Sequence, residues 1–248
     1  MPNLLKSGPF KPDQNRLCLF GSFDSANLVV RFVLEEIGLD YRFIEVDRTV
    51  RANRTPDYLK LNPQGLIPVL ADPDLSEPVF ETAAIILHLA DKTQRLAPHP
   101  SSPERGRLLT WLFFLSNTLH ADLRISFRPE RYVLDAAVRP HLVAGLGAGL
   151  RQGFDHLESA FERSGGPYVL GADPSIADFY AATCARWYQL YPESSDIDRK
   201  AWPRLTEMLA LLQTRPAVVR AKEKERIPGP VFLDPQRPAI DPAALTGI

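Results

Sequence analysis

The chain has 248 residues, of which 45% are hydrophobic and 24% are charged, so it is long enough for two ordinary domains with buried cores. Its formal net charge of -1 argues against nucleic acid and anionic membranes as partners. Segment 1–16 is polar and lacks the apolar stretch of a secretory signal, and no apolar run reaches the length of a membrane-spanning helix. We therefore expect a cytoplasmic protein without a membrane segment.

The first half of the chain predicts strands and helices in alternation. Apolar runs and alternating patterns indicate strands, apolar residues at helical spacing indicate helices, and Gly and Pro mark their ends. The predicted elements are a strand at 17–20, a helix at 28–37 ended by Gly38, a strand at 41–46, a short helix opened by Thr55-Pro56, strands at 66–70 and 78–80, and a helix from Thr82. This order, βαβ, α, ββα, predicts one parallel unit followed by an antiparallel hairpin.

The second half of the chain shows only helical periodicity, so we expect an all-α domain. The predicted helices cover 105–122, 135–164, 175–190, 202–213 and 217–225. The chain then divides into an N-terminal extension at 1–16, a first domain at 17–95, a linker at 96–103, a helical domain at 104–226 and an extended, proline-rich tail at 227–248. Cys18 and Cys184 stand too far apart in sequence for a redox or zinc pair, and we expect no metal site.

Two motifs of the first domain carry a resemblance to a known family. The stretch Asn62-Pro63-Gln64-Gly65-Leu66-Ile67-Pro68-Val69-Leu70, followed by Glu81-Thr82-Ala83-Ala84-Ile85, resembles the glutathione transferase superfamily. In the second half, Thr118-Leu119-His120 and Ser175-Ile176-Ala177-Asp178 look like the bacterial beta class. The resemblance implies a thioredoxin-like domain that binds glutathione as co-substrate, an all-helical domain that supplies a pocket for an electrophile, a role in detoxification, and a homodimer.

The resemblance also implies roles for particular residues. A proline in a strand removes a hydrogen-bond donor, and the family accounts for Pro68 by a cis Ile67-Pro68 bond that exposes the Ile67 backbone to the cysteinyl part of glutathione. Thr82 and its helix N-terminus receive the γ-glutamyl carboxylate, while Glu81 accepts from the α-amino group. His120 faces glutathione or the second substrate by resemblance, whereas its apolar surroundings alone favour an ordinary core histidine.

Activation of the glutathione thiol needs a further group, because only the thiolate attacks and a free thiol is mostly protonated at neutral pH. Ala26 stands where the beta class has its cysteine, so a mixed disulfide at this position is excluded. Ser25 is our first candidate for the catalytic donor to sulfur, Asn27 is the second, and Ser22 ranks below both. Each of these side chains is equally suited to a helix cap or a turn.

The sequence leaves several choices open. The cation for the glycine carboxylate is one of four basic residues before the proline motif: Arg48, Arg51, Arg54 and Lys60. We expect transfer of glutathione to a small, hydrophobic electrophile. The alternatives are a glutathione-dependent isomerase or ether-cleaving enzyme, and a non-catalytic glutathione-binding or protein-interaction module. A thiol-disulfide reductase is disfavoured because no cysteine occupies the start of the active-site helix.

Overall fold

The computed structural model describes residues 10–190 and 197–236. Over these residues the chain forms a four-stranded sheet with helices, followed by a second part made of helices. The predicted fold class, a thioredoxin-like domain joined to an all-helical domain, is confirmed. Residues 1–9 of the predicted extension and 237–248 of the predicted tail lie outside the described residues. No helix in the described part of the chain is long and apolar enough to cross a membrane.

The sheet has the strand order β2-β1-β3-β4. The strands are β1 (Leu17–Gly21), β2 (Tyr41–Glu45), β3 (Val69–Ala71) and β4 (Val79–Phe80). β1 pairs parallel with β2 and antiparallel with β3, and β3 and β4 form the predicted antiparallel hairpin. β3 begins at Val69 rather than at the predicted residue 66, because Pro68 has no N–H to donate to a neighbouring strand.

The helices follow the predicted order, with shifts of a few residues at their ends. In the first domain they are α1 (Asn27–Ile37), α2 (Pro56–Leu59) and α3 (Thr82–Thr93). In the second domain they are α4 (Arg105–Phe114), α5 (His120–Phe127), α6 (Arg139–Ser164), α7 (Ile176–Leu190), α8 (Pro203–Gln213) and α9 (Pro216–Lys224). The Thr55 hydroxyl accepts from the Tyr58 N–H at 3.4 Å, so the expected cap of α2 is present.

The central strand β1 is buried on both faces, which explains why its sequence is a continuous apolar run. Leu17 and Leu19 belong to the large core that α1, α3 and the helical domain share. Cys18 and Phe20 point to the opposite face and belong to a smaller core that includes Phe10. Since one hydrophobic core extends across both domains, their facing surfaces are held in a fixed arrangement.

The first helix of the second domain is longer than predicted and contains an irregular turn. Helical structure runs from Arg105 through Phe127 without a break, but Leu115–Leu119 form a π-helical turn between α4 and α5. Such a turn carries one extra residue and changes which side chains share a face of the helix. Ser116 and Asn117, within the turn, and His120, directly after it, all face the cavity between the domains.

The proline-rich segment after α9 has no helix or strand in the described range 227–236, as its composition predicts. The structure adds that this segment is packed against the domains rather than extended into solvent. Val231 and Phe232 are buried, and the Phe232 ring lies 5.3 Å from the ring of Phe32 on α1. The Gln189 side-chain amide on α7 donates to the Phe232 carbonyl at 2.7 Å. The segment therefore contacts α1 through the Phe232 ring and α7 through this hydrogen bond.

Candidate functional site

A cavity of about 790 Å³ lies between the two domains and contains most of the predicted site residues. The first domain contributes Ala26 and side chains from segments 62–68 and 81–87, and the second contributes side chains from 112–124 together with Tyr180. A smaller cavity of about 300 Å³ lies between α4 and α6 and holds none of the predicted residues. No cluster of His, Cys, Asp or Glu within the described ranges has the arrangement of a metal site.

The backbone of Ile67 lines the cavity next to a cis Ile67-Pro68 bond, so the expected cis bond is present. The loop before it is fixed by side chains. The Leu66 carbonyl accepts from the Tyr58 hydroxyl at 2.8 Å and from the Asn62 amide at 2.9 Å. In contrast, the N–H and C=O of Ile67 make no hydrogen bond to the described residues. A loop held in place by side chains thus presents one free donor and one free acceptor to a ligand backbone.

The junction of β4 and α3 forms the adjacent wall. Glu81 has φ 70, a strained value for a residue other than glycine, and such strain is concentrated at functional sites. Its carboxylate accepts from the Gln64 amide at 3.0 Å and does not cap α3. The Thr82 side chain is buried, and its hydroxyl makes no hydrogen bond within the described part of the chain. The free N–H groups of this uncapped helix start suit a carboxylate.

The loop that should activate the thiol reaches the cavity only through Ala26. The Ser22 hydroxyl donates to the Val46 carbonyl at 2.6 Å, away from any ligand position. The Ser25 hydroxyl lies 2.8 Å from the Ser22 carbonyl and 2.5 Å from the Asn27 side-chain oxygen, so its single proton is held within the loop. Ser25 is nevertheless half-buried and directly precedes Ala26 in the chain.

Asn27 is not brought to the cavity. Its side chain is fully buried, its oxygen accepts from the Ser22 N–H at 2.9 Å, and its amide nitrogen donates to Glu225 at 2.8 Å. A carbon added at Gly21 would lie 2.4 Å from the same oxygen, so only glycine fits there. The sequence suggested Asn27 as a donor to sulfur, but the structure uses its amide to hold the loop against Glu225 at the end of α9.

A buried charged network surrounds this loop. Glu225 accepts from the Asp24 N–H at 2.7 Å and lies 2.6 Å from the Arg31 guanidinium. Burial raises the pKa of Glu225 to about 7, against the opposing effect of Arg31. The Asp24 carboxylate receives two hydrogen bonds from Arg186 on α7, at 3.0 and 2.6 Å. Residues of α7 and of the end of α9 therefore determine the position of the loop.

The helical wall carries a histidine–tyrosine pair. His120 Nδ1 lies 2.7 Å from the Tyr180 hydroxyl, and the His120 ring stacks on Trp187 with centroids 4.6 Å apart. Burial, assisted by the nearby Arg124 charge, lowers the pKa of His120 to about 4, while burial holds the pKa of Tyr180 well above its ordinary value. Tyr180 therefore donates to a neutral imidazole, whose proton is on Nε2.

Sequence reasoning missed four polar residues of this wall: Ser116, Asn117, Arg124 and Tyr180. Asn117 and Arg124 lie three residues before and four after His120, so helical spacing from a suspected site residue was a usable signal. Tyr180 offered no such signal, because nearly every residue of α7 is buried.

The four basic candidates for the glycine carboxylate do not line the cavity. Lys60 pairs with Asp57 at 3.0 Å, and Arg54 donates to the carbonyl of the cavity residue Gln64 at 3.0 Å. Burial lowers the pKa of Arg131, the charges of Arg128 and Arg54 add to this effect, and Glu130 opposes it. Of these residues, Arg54 is held beside the cavity by its hydrogen bond to Gln64.

Comparison with known proteins agrees with this geometry. Residues 16–91 match the glutathione S-transferase N-terminal domain, and residues 140–207 match the glutathione S-transferase C-terminal domain. The chain belongs to the glutathione transferase superfamily.

Individual relatives show how broad this superfamily is. The chain is 32% identical over 195 residues to a maleylacetoacetate isomerase of Rhizobium meliloti, covering 73% of this chain and 83% of that protein. It is 29% identical over 215 residues to the disulfide-bond oxidoreductase YfcG of Escherichia coli, covering 80% and 90%. A Sulfitobacter glutathione transferase homologue with bound glutathione shares the fold with a TM-score of 0.74 at 26% identity, covering 84% of this chain and 98% of that one.

Proposed function

We propose that this protein binds glutathione in the cavity between its domains and transfers it to a small electrophile. The γ-glutamyl carboxylate binds the start of α3 and the Thr82 hydroxyl, and Glu81 accepts from the α-amino group. The cysteinyl backbone pairs with the N–H and C=O of Ile67. This arrangement directs the thiol toward Ala26 at the start of α1.

One observation carries the proposal. The free backbone groups of Ile67 and the uncapped, unsatisfied start of α3 at Thr82 line the same cavity. A strand-like peptide with a carboxylate at one end satisfies both sets of groups at once, and its hydrogen bonds to the helix start are charge-assisted. Glutathione, a tripeptide analogue with a free α-carboxylate, has this shape and charge.

For thiol activation we propose that Ser25 turns its hydroxyl proton away from the Ser22 carbonyl and the Asn27 side-chain oxygen and toward the sulfur when glutathione binds. The thiolate also interacts with the positive end of the α1 dipole, since Ala26 precedes the first helical residue. Lowering the thiol pKa by two units requires about 2.7 kcal/mol of preferential thiolate stabilisation. The thiol proton passes to solvent water, the sulfur of the thiolate forms a bond to the electrophilic carbon, and the leaving group departs with its electron pair.

Paired variants distinguish the two candidate donors. Ser25→Ala is expected to raise the pKa of the bound thiol with little change in glutathione affinity, whereas Asn27→Ala is expected to lower the free energy of unfolding, because Asn27 is buried in the loop. An Asn27→Ala protein that folds as stably as the parent and has a raised thiol pKa, beside an unchanged Ser25→Ala protein, would reverse this assignment.

A second candidate function is a glutathione-binding or protein-interaction module without turnover. The observation that favours it is that Ser22, Ser25 and Asn27 all hydrogen-bond within the protein. Calorimetry with glutathione and a turnover screen of aryl halides, epoxides, activated alkenes and cis-alkene acids separate the possibilities. Binding with turnover supports an enzyme, and the reactive class separates transferase from isomerase. Binding without turnover supports the module, and no binding refutes both.

Assembly and location follow from the resemblance. We propose a cytoplasmic homodimer in which the first domain of one subunit contacts the helical domain of the other. Sedimentation or light scattering at micromolar concentration is expected to give twice the 27.8 kDa mass of one chain. A monomer at that concentration would contradict the dimer without affecting glutathione binding.

A further inference from the structure

Arg124 has no role in the glutathione site proposed above. It lies on α5, one turn beyond His120, and its exposed side chain lines the cavity on the helical wall. Within residues 10–190 and 197–236 no carboxylate pairs with it. Asp122 is the nearest acid in sequence. Its Oδ2 lies close to Gly149 of α6, 3.6 Å from the position that a Cβ added at this glycine would take.

The surroundings of Arg124 concentrate positive charge at one place in the cavity. His120 is neutral at pH 7 because burial and Arg124 hold its pKa at about 4. Tyr180 retains its proton, so neither neighbour neutralises Arg124. Among the cavity-lining residues the other full charge is Glu81, which we assign to the α-amino group of glutathione. The helical wall therefore has one cation without a counterion among the residues that the structure describes.

Glutathione itself does not require this cation. Its γ-glutamyl carboxylate is accommodated at the start of α3. We assign its glycine carboxylate to the other end of the site, near Arg54, which donates to the carbonyl of Gln64 on the segment that leads into Ile67. The second substrate must occupy the helical wall. There Leu112 and Phe113 supply apolar surface, and the hydroxyl and amide of Ser116 and Asn117 flank it.

We infer that Arg124 binds a carboxylate on the electrophilic substrate, so that the preferred electrophile has a small apolar body and one anionic group. This inference rests on the proposed function and changes its expected substrate, which the sequence alone suggested to be simply hydrophobic. Arginine suits the task because its planar guanidinium donates two parallel hydrogen bonds to a carboxylate.

Two synthetic conjugates test the inference without requiring turnover. In both, the glutathione sulfur is bonded to carbon 1 of a benzene ring that carries a nitro group at carbon 2. One conjugate has a carboxylate at carbon 4, and the other has a carboxamide of the same shape there. Calorimetry on the full-length parent is expected to show at least tenfold tighter binding of the carboxylate conjugate. Arg124→Met should abolish that preference, while Arg124→Lys should retain part of it. The affinity for glutathione should stay within about twofold in both variants, because the charge-assisted hydrogen bond that they alter is made to the carboxylate of the aryl ring, which glutathione lacks.

The control is Arg204→Met, which removes an exposed arginine of α8 that does not line the cavity. It should bind both conjugates like the parent. Equal affinities of the two conjugates for the parent, with glutathione bound normally, would overturn the inference and leave the proposed function intact. An equal loss of affinity for glutathione and for both conjugates in Arg124→Met would place Arg124 in the glutathione site and would also overturn the inference. Failure of the parent to bind glutathione or either conjugate would refute the proposed function and the inference together.

Discussion

The Asn27 amide nitrogen donates to the Glu225 carboxylate at 2.8 Å, across a sequence separation of 198 residues. The side-chain oxygen of the same Asn27 accepts from the Ser22 N–H and the Ser25 hydroxyl. A carboxylate at the end of α9 thus fixes, through one amide, the loop that carries the proposed donor to sulfur. The helical domain therefore holds the proposed thiol site in place through Glu225, which does not itself line the cavity.

Replacement of Glu225 by alanine should destabilise the protein by about 3 kcal/mol or more, because it leaves the Arg31 guanidinium and two N–H groups buried without their acceptor. Urea unfolding of the parent and the variant measures the difference. Glu223→Ala is the matched control, since Glu223 is an exposed residue of the same helix and should change stability little. Equal unfolding midpoints for parent and Glu225→Ala would show that the buried network does not hold the loop.

Substitution at the start of α3 should weaken glutathione binding. Glu81→Ala and Thr82→Ala are each expected to cost about 1 to 3 kcal/mol, the effect of leaving charged groups of the ligand without partners. Calorimetry with glutathione measures the cost, and Glu77→Ala, at an exposed position of the preceding turn, provides the control. Unchanged affinity in both site variants would move the γ-glutamyl group away from this helix.

His120 should make stability depend on pH in acid. Its folded pKa of about 4 lies below the ordinary value of 6.5, so the unfolded chain binds the proton more readily and stability is lost as pH falls below 6.5. Between pH 7 and pH 5 this group should account for about 2 kcal/mol. The variant His120→Gln should lose that much less stability over the interval than the parent does. His141→Gln, at an exposed site on α6, should behave like the parent, and identical pH dependence in all three proteins would contradict the assignment.

The sequence predicted the parts of the fold that depend on local chemistry. The order of strands and helices and the cap at Thr55 follow from residues close together in the chain, and both are present. The cis bond before Pro68 was expected from the family resemblance, and it is also present. The π-helical turn Leu115–Leu119 was not predicted, because the sequence around it is largely apolar and does not reveal the change of helix face that one extra residue causes.

The site was predicted less completely, for a physical reason that Asn27 illustrates. An amide before a helix can donate to a ligand or to the protein, and its partner Glu225 becomes a neighbour only when the chain has folded. The same holds for Tyr180, whose pairing with His120 joins two helices far apart in sequence. Proline content likewise predicted that 227–236 is irregular, but it carried no information that Phe232 is buried.

The thiol pKa of bound glutathione tests most directly whether the cavity both binds glutathione and ionises its sulfur. Ultraviolet thiolate absorbance, titrated against pH for the complex and for free glutathione in the same buffer, gives this value. We expect a midpoint for the complex about two units below that of free glutathione, equivalent to about 2.7 kcal/mol of thiolate stabilisation. A complex that forms, as calorimetry would show, but titrates at the same pH as free glutathione would contradict the claim that this site activates the thiol.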